Sequence, residues 1–252
     1  MITDFHAHLD SSWERVDQLL AAQGRAGIDQ TVVVSGNMLE AAFLGDYLRG
    51  RHPLRDSVPN NEFLLEAAAS HPNRLLPFFT IYPTYHSPEE IDAAASCGFF
   101  GFKLNTIVHQ IDFTSSALAE LLERVDCYGA PLYLHLTLNP VAGLEAAIQL
   151  ARRFTRLNLV IGHMGVATAD RAAIDAAAIP NVYLESSIGS VLAFAAVKQH
   201  NLVRKLIFGS EFPAHDPAIE LAKLRLVFLD REMDMITREN FEKLMRWRKS
   251  PA

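Results

Sequence analysis

Short apolar runs rich in β-branched and aromatic residues alternate along this chain with longer segments whose apolar positions recur every three or four residues. The runs fall at 2–6, 31–35 ("TVVVS"), 75–81 ("LLPFFTI"), 100–104, 131–136 ("PLYLHL"), 158–163 ("NLVIGH"), 181–186 ("NVYLES") and 205–209 ("KLIFG"). Their length and composition predict eight strands. Between them, "FLLEAAASHP", "SALAELLERVDCYG", "VAGLEAAIQLARRF" and "ATADRAAIDAAAIP" carry helical spacing. Near-continuous apolar strands separated by helices predict a parallel sheet covered on its outer face, and eight such units close into a (β/α)8 TIM barrel. The expectation leaves room for a distorted barrel and adds a short C-terminal helix.

The main competitor is the doubly wound open sheet. It is disfavoured because no glycine-rich dinucleotide turn follows any strand and because the strand count fits closure. The 252 residues, half of them hydrophobic, suit a single barrel domain over 1–252. The longest connection, at 37–60, carries "LRGRHPLRDSVPNNE" with Pro53 and Pro59. Its length and polarity make it a candidate lid over the barrel mouth, or an excursion with no role.

Charge narrows the partners. The formal net charge is -6, and the one basic run, "MRWRKS", is too short to outweigh it, so nucleic acid is not expected. Two cysteines, Cys97 and Cys127, in a chain able to build its own core point to a reducing compartment, with both thiols expected as small buried hydrophobes. No stretch approaches a membrane span and no cationic leader precedes the first strand, so the expected location is the cytoplasm. Leu-rich segments such as "IELAKLRLVFLD" serve an interface as readily as a core, which keeps a homo-oligomer open.

The first strand carries candidate chemistry. In "MITDFHAHLD" the residues Asp4, His6 and His8 alternate, so an ideal strand sends all three to one face and Phe5 and Ala7 to the other. In a barrel of this kind the working groups stand where strands end. Lys103 in "GFKLN", His135, His163 in "IGHMG" and Glu211 in "FGSEFP" all occupy such ends. Singly each has an ordinary explanation: a hydrogen-bonded core histidine, a snorkelling lysine, a carboxylate capping a turn. Together they bring imidazoles and one carboxylate to a shared rim. Three or four such ligands with an open position suit Zn2+ or another first-row divalent ion in a catalytic setting. Tyr82, Asn105, Ser186 and His215 lie just beyond strands and are candidate pocket residues, whereas His52, His71, His86, His109 and His200 read as loop or helix-end residues.

"DFHAH", "LYLHL", "IGHMG" and "FGSEFP" together resemble the amidohydrolase superfamily, and within it the amidohydrolase-2 branch, along the whole chain. The resemblance implies that His6, His8 and His135 bind a metal and that Glu211 stands at the strand-eight ligand position. It implies that His163 binds metal only in a dinuclear site. In mononuclear members that histidine faces the substrate or the metal-bound water, and this is the role expected here. Lys103 stands where dinuclear members carry a carboxylated bridging lysine; the mononuclear reading leaves it as a free cation for a substrate carboxylate or phosphate. The family pattern at strand eight is "G-S-D-x-P", so Glu211 departs from it by one methylene.

The resulting expectation is a metal-dependent hydrolase with one divalent ion, Zn2+ by preference, acting on a small anionic lactone, amide or ester. Glu211 would act as ligand and general base, His163 would steady the oxyanion, and Lys103 would hold the substrate's anionic end. Asp4 would orient a ligand imidazole. The alternative within the branch is a lyase, a decarboxylase or hydratase. A third reading places a phosphate cup in "SSIGS" and "FGS", with Lys103 as a Schiff-base amine in an isomerase or aldolase. A non-catalytic scaffold with a decayed site is the fourth.

Overall fold

The structure is a computed structural model that describes residues 1–36, 58–136, 140–168 and 171–249. The expected lid at 37–60 falls mostly outside the described residues. Eight strands run in chain order: β1 Thr3–Leu9, β2 Gln30–Ser35, β3 Leu75–Ile81, β4 Gly101–Leu104, β5 Pro131–Leu134, β6 Asn158–Ile161, β7 Val182–Glu185 and β8 Leu206–Ile207. Each pairs in parallel with the next. The cylinder closes where the Phe5 N–H donates to the Phe208 carbonyl at 2.8 Å and the His8 N–H to that of Phe212 at 2.8 Å. The expected TIM barrel is the observed fold.

The outer layer is made of α1 Trp13–Ala26, α2 Asn61–Ser70, α3 Pro88–Ser96, α4 Ser116–Tyr128, α5 Leu144–Arg153, α6 Arg171–Ala176, α7 Val191–Gln199 and α8 Pro217–Arg225. Their limits follow local chemistry. Ser12 and Ser115 cap the starts of α1 and α4 by accepting backbone N–H groups, and Gly27 and Gly129 end the same helices in the left-handed conformation. Asp216 caps α8, with Pro217 at its first position.

Two apolar layers result. Val33, Phe79, Leu104, Leu134, Ile161 and Leu184 pack outward against the helices, while Phe5, Val32, Val34, Phe78, Tyr133, Val160, Tyr183 and Ile207 fill the barrel. After α9 Asp230–Asp234 and a π-helical turn over Met235–Glu239, the chain enters α10 Asn240–Leu244. Phe241 and Leu244 of this expected C-terminal helix join the interior layer, with the Phe241 ring 6.1 Å from that of Phe5. Among the described residues no helix is long and apolar enough to cross a membrane.

Two expectations are corrected. Strict alternation fails in β1: Asp4 is paired with Thr31 and Ala7 with Val33, so three steps on β1 match two on β2. The extra residue is a β-bulge, and it turns Phe5 and His6 to the same, inner side while Ala7 and Leu9 pack outward. The cysteines also differ from expectation. Cys97 at the end of α3 and Cys127 near the end of α4 are both exposed, because these helix ends leave the barrel-facing stripe.

Candidate metal centre

The bulge in β1 is what lets His6 and His8 share the barrel mouth above Phe5. The ring of His6 stacks on Tyr133 at 4.3 Å and meets the ring of His8 edge-on at 4.7 Å. Glu211 reaches them from the far edge of the sheet. Its Oε2 lies 2.6 Å from His6 Nε2, and its Oε1 lies 3.5 Å from His8 Nε2.

Glu211 holds a left-handed backbone, φ 62°, which a residue with a side chain adopts only under constraint. The constraint is a clasp between β1 and the turn after β8. The carboxylate of Asp4 accepts the Ser210 hydroxyl at 2.6 Å, the Ser210 N–H at 2.9 Å and the His6 N–H at 3.1 Å, while the Glu211 N–H donates to the His6 carbonyl at 2.9 Å. Asp4 therefore holds the backbone of His6 and the turn that carries Glu211. Burial pushes its carboxyl up to about 7.

The ligand atoms of His6, His8 and Glu211 all lie within 4.8 Å of one another, and all three residues are buried. Both ring nitrogens of each histidine and Oε2 of Glu211 are buried without a hydrogen-bond partner. Buried polar atoms in that state are costly, and a shared cation resolves the cost for all of them at once. Burial holds His6 down to about 3, so its imidazole is the neutral form that ligates. Burial acts to raise Glu211, but the surrounding imidazoles of His163, His6 and His8 outweigh it and hold the carboxyl well below its usual range. Two imidazoles and one carboxylate fit a divalent cation.

The other strand-end residues take distinct places. Lys103 is fully buried, with Nζ 3.8 Å from the centre of the Tyr133 ring and no hydrogen-bond partner. Burial lowers its ammonium to about 7, opposed by the charges of Glu211 and Glu185. His135 stands one ring further out: it packs on His163 at 4.4 Å and is not one of the three clustered ligands. Burial holds it down to about 3 as well. His163 Nε2 lies 3.6 Å from Glu211 Oε2, so it faces the cluster. Asn105 is buried and accepts the Val108 N–H at 3.4 Å.

Three residues escaped sequence reasoning. Tyr133 underlies the site, touching His6 and Lys103 and donating to Glu185 Oε2 at 3.0 Å. Glu185, fully buried at the end of β7, also accepts the His163 N–H at 3.0 Å and the Ser187 hydroxyl at 2.8 Å. Ser187 Oγ in turn lies 2.7 Å from His163 Nδ1. The available signal was an acid closing an apolar strand in "NVYLESS", the same signal that marked Lys103.

Two glycines make room for this group. A Cβ at Gly162 would come 2.6 Å from Tyr133 Cζ, and one at Gly209 would come 2.7 Å from Glu185 Cδ. The glycines of "IGHMG" and "FGSEFP" are thus required by close approach.

The remaining candidates make their own contacts. His215 is 41% exposed at its side chain and its Nδ1 lies 3.5 Å from Glu220. Tyr82 stacks on His109 at 4.1 Å. Ser186 is buried and accepts the Gly209 N–H at 3.2 Å. The phosphate cup is not formed: the N–H groups of Ser187, Ile188 and Ser210 donate to Glu185, Glu220 and Asp4, and that of Gly189 to the Ser186 carbonyl.

Known proteins share this fold. Solved structures of the same fold include 5-carboxyvanillate decarboxylase from Sphingomonas paucimobilis (TM-score 0.72, 14% identity, 97% of this chain and 98% of that one). A probable 2-pyrone-4,6-dicarboxylic acid hydrolase from Acinetobacter baumannii, with citric acid bound, aligns at TM-score 0.69 and 17% identity over 97% and 98% of the two chains. A dihydroxybenzoic acid decarboxylase from Polaromonas sp. JS666, holding manganese and 2-nitroresorcinol, aligns at 0.70 and 15% over 99% and 98%. No curated protein matches at the level of sequence. The sequence profile of the amidohydrolase family matches residues 3–247, and the chain, an eight-stranded barrel, belongs to that family.

Proposed function

We propose that the protein is a metal-dependent hydrolase of a small, carboxylate-bearing lactone, amide or ester. The observation that carries this reading is the cluster of His6, His8 and Glu211, with buried ligand atoms, in the field of the buried amine of Lys103. A divalent ion bound there, Zn2+ by its preference for such donors, supplies Lewis acidity that polarises a carbonyl and acidifies water. The manganese of the Polaromonas decarboxylase makes Mn2+ the rival ion.

His6 and His8 hold the ion with Glu211, and His135, packed behind His163, is the further imidazole expected to join them. Glu211 also serves as the general base. Of its two oxygens, Oε1 stands farther from its imidazole partner, and it accepts a proton from attacking water and returns it to the leaving group. Lys103, as an ammonium, pairs with the substrate carboxylate. Tyr133 keeps Lys103 and His6 in place by packing against both. Asn105, Tyr82 and His215 belong to the outer approach to the site.

A second reading, decarboxylation of a carboxylated aromatic acid, is favoured by the decarboxylases among the structural neighbours. One experiment separates the readings. Protein supplied with Zn2+ or Mn2+ is analysed for ions per chain, then given carboxylated lactones and hydroxylated aromatic carboxylates while acid release and CO2 are followed. One ion per chain and acid release without CO2 support the hydrolase; CO2 release supports the lyase. Full turnover in a metal-free H6A/H8A variant would overturn both.

A further inference from the structure

The carboxylate of Glu185 is enclosed by donors. The N–H groups of His163 and Ser187 can only donate to it, and the hydroxyls of Tyr133 and Ser187 lie 3.0 and 2.8 Å from its Oε2. Burial raises the Glu185 carboxyl to about 7, so at pH 8 it is ionised, and an ionised carboxylate accepts and never donates. The single hydroxyl proton of Ser187 is therefore committed to Glu185, and Ser187 Oγ can meet His163 Nδ1, 2.7 Å away, only as an acceptor. We infer that Glu185, through Ser187, fixes His163 in the tautomer whose proton is on Nδ1 and whose Nε2 lone pair is turned toward Glu211 and the substrate space.

The inference rests on the reading that His163 faces the reacting atoms, and it sets the direction of its chemistry. A bare Nε2 cannot donate to an oxyanion, which was the role expected from the sequence. It accepts: an O–H bond of a substrate hydroxyl breaks, its electron pair stays on oxygen, and the proton forms an N–H bond at Nε2. The imidazolium keeps its Nδ1–H on Ser187, and the negative charge of Glu185 behind Ser187 stabilises it. Glu185 and Ser187 are thus positioning residues. The space for them is built in, because Gly209 and Gly162 are the residues that admit Glu185 and Tyr133. The backbone of His163 adds a second restraint, since it holds φ 56° and its N–H is tied to the same carboxylate.

The test is two-bond proton–nitrogen NMR of the full chain labelled with 15N-histidine, at pH 8, as purified and after chelation, with His163 assigned by its loss in H163Q. The expected result is a protonated Nδ1 and a bare Nε2 in both samples. In Glu185→Gln the new amide donates to Ser187, the chain of bonds reverses, and the proton is expected on Nε2. Ser187→Ala leaves Glu185 its backbone donors but removes the bridge, and is expected to give mixed tautomers; it serves if the glutamine variant does not fold. A proton on Nε2 in the unaltered chain, or an unchanged tautomer in either folded variant, overturns the inference. Absence of metal or turnover would instead overturn the proposed function and leave the tautomer standing.

Discussion

Oε2 of Glu211 and Nε2 of His6 stand 2.6 Å apart, across the line where the last strand closes on the first. Two buried groups held that close share either a proton or a cation, and a divalent ion would displace the proton. The H6A/H8A variant is accordingly expected to purify without metal, and E211D to lose about 100-fold in kcat/KM through a shift of the carboxylate of about 1 Å. Elemental analysis and kinetics with Zn2+ check both. Wild-type metal content in the double variant would refute the assignment.

Asp4 and Ser210 join segments 206 residues apart, and through them the strand that carries His6 and His8 and the turn that carries Glu211. D4N, which keeps the shape but loses acceptor capacity, is expected to weaken Zn2+ affinity about 10- to 100-fold with the barrel intact. Competition against a chromogenic chelator measures this, and circular dichroism confirms the fold. Unchanged affinity would show the clasp to be without influence on the metal.

Lys103 costs stability where its charge is present. Its ammonium titrates near 7 in the folded chain and at 10.5 when unfolded, so between those values the unfolded state binds more protons and stability climbs with pH. Below pH 7 the full cost, about 5 kcal/mol at most, is carried. K103M is expected to be more stable than the native chain at pH 6.5, with the gap closing toward pH 10, and to lose its affinity for anionic substrate. Urea melts at the two pH values decide the point.

Gly209 has no room to grow. G209A would drive a methyl group into the Glu185 carboxyl and is expected to cost about 1–3 kcal/mol, while G24A, where nothing lies within 4 Å, should be tolerated. Paired thermal melts compare them.

Cys97 and Cys127 are exposed, so a thiol reagent is expected to titrate two thiols in the native chain without denaturant. Protection of both until unfolding would place them in the core after all.

The sequence by itself determined the architecture and the cast. Hydrophobic periodicity is local, so runs such as "TVVVS" and "LLPFFTI" declared their strands, and the rule that barrel chemistry sits at strand ends picked out His6, His8, Lys103, His163 and Glu211. The tertiary structure decided which of them meet. The bulge that puts Phe5 and His6 on one side is set by hydrogen bonds to β2, which no period along β1 contains. Tyr133, Glu185 and Ser187 converge on His163 only because β5, β6 and β7 pair in register, and His135 stands apart from the clustered ligands for the same reason. Local patterning fixes what a segment becomes; which side chains touch depends on how far each strand is slid and bent against the next.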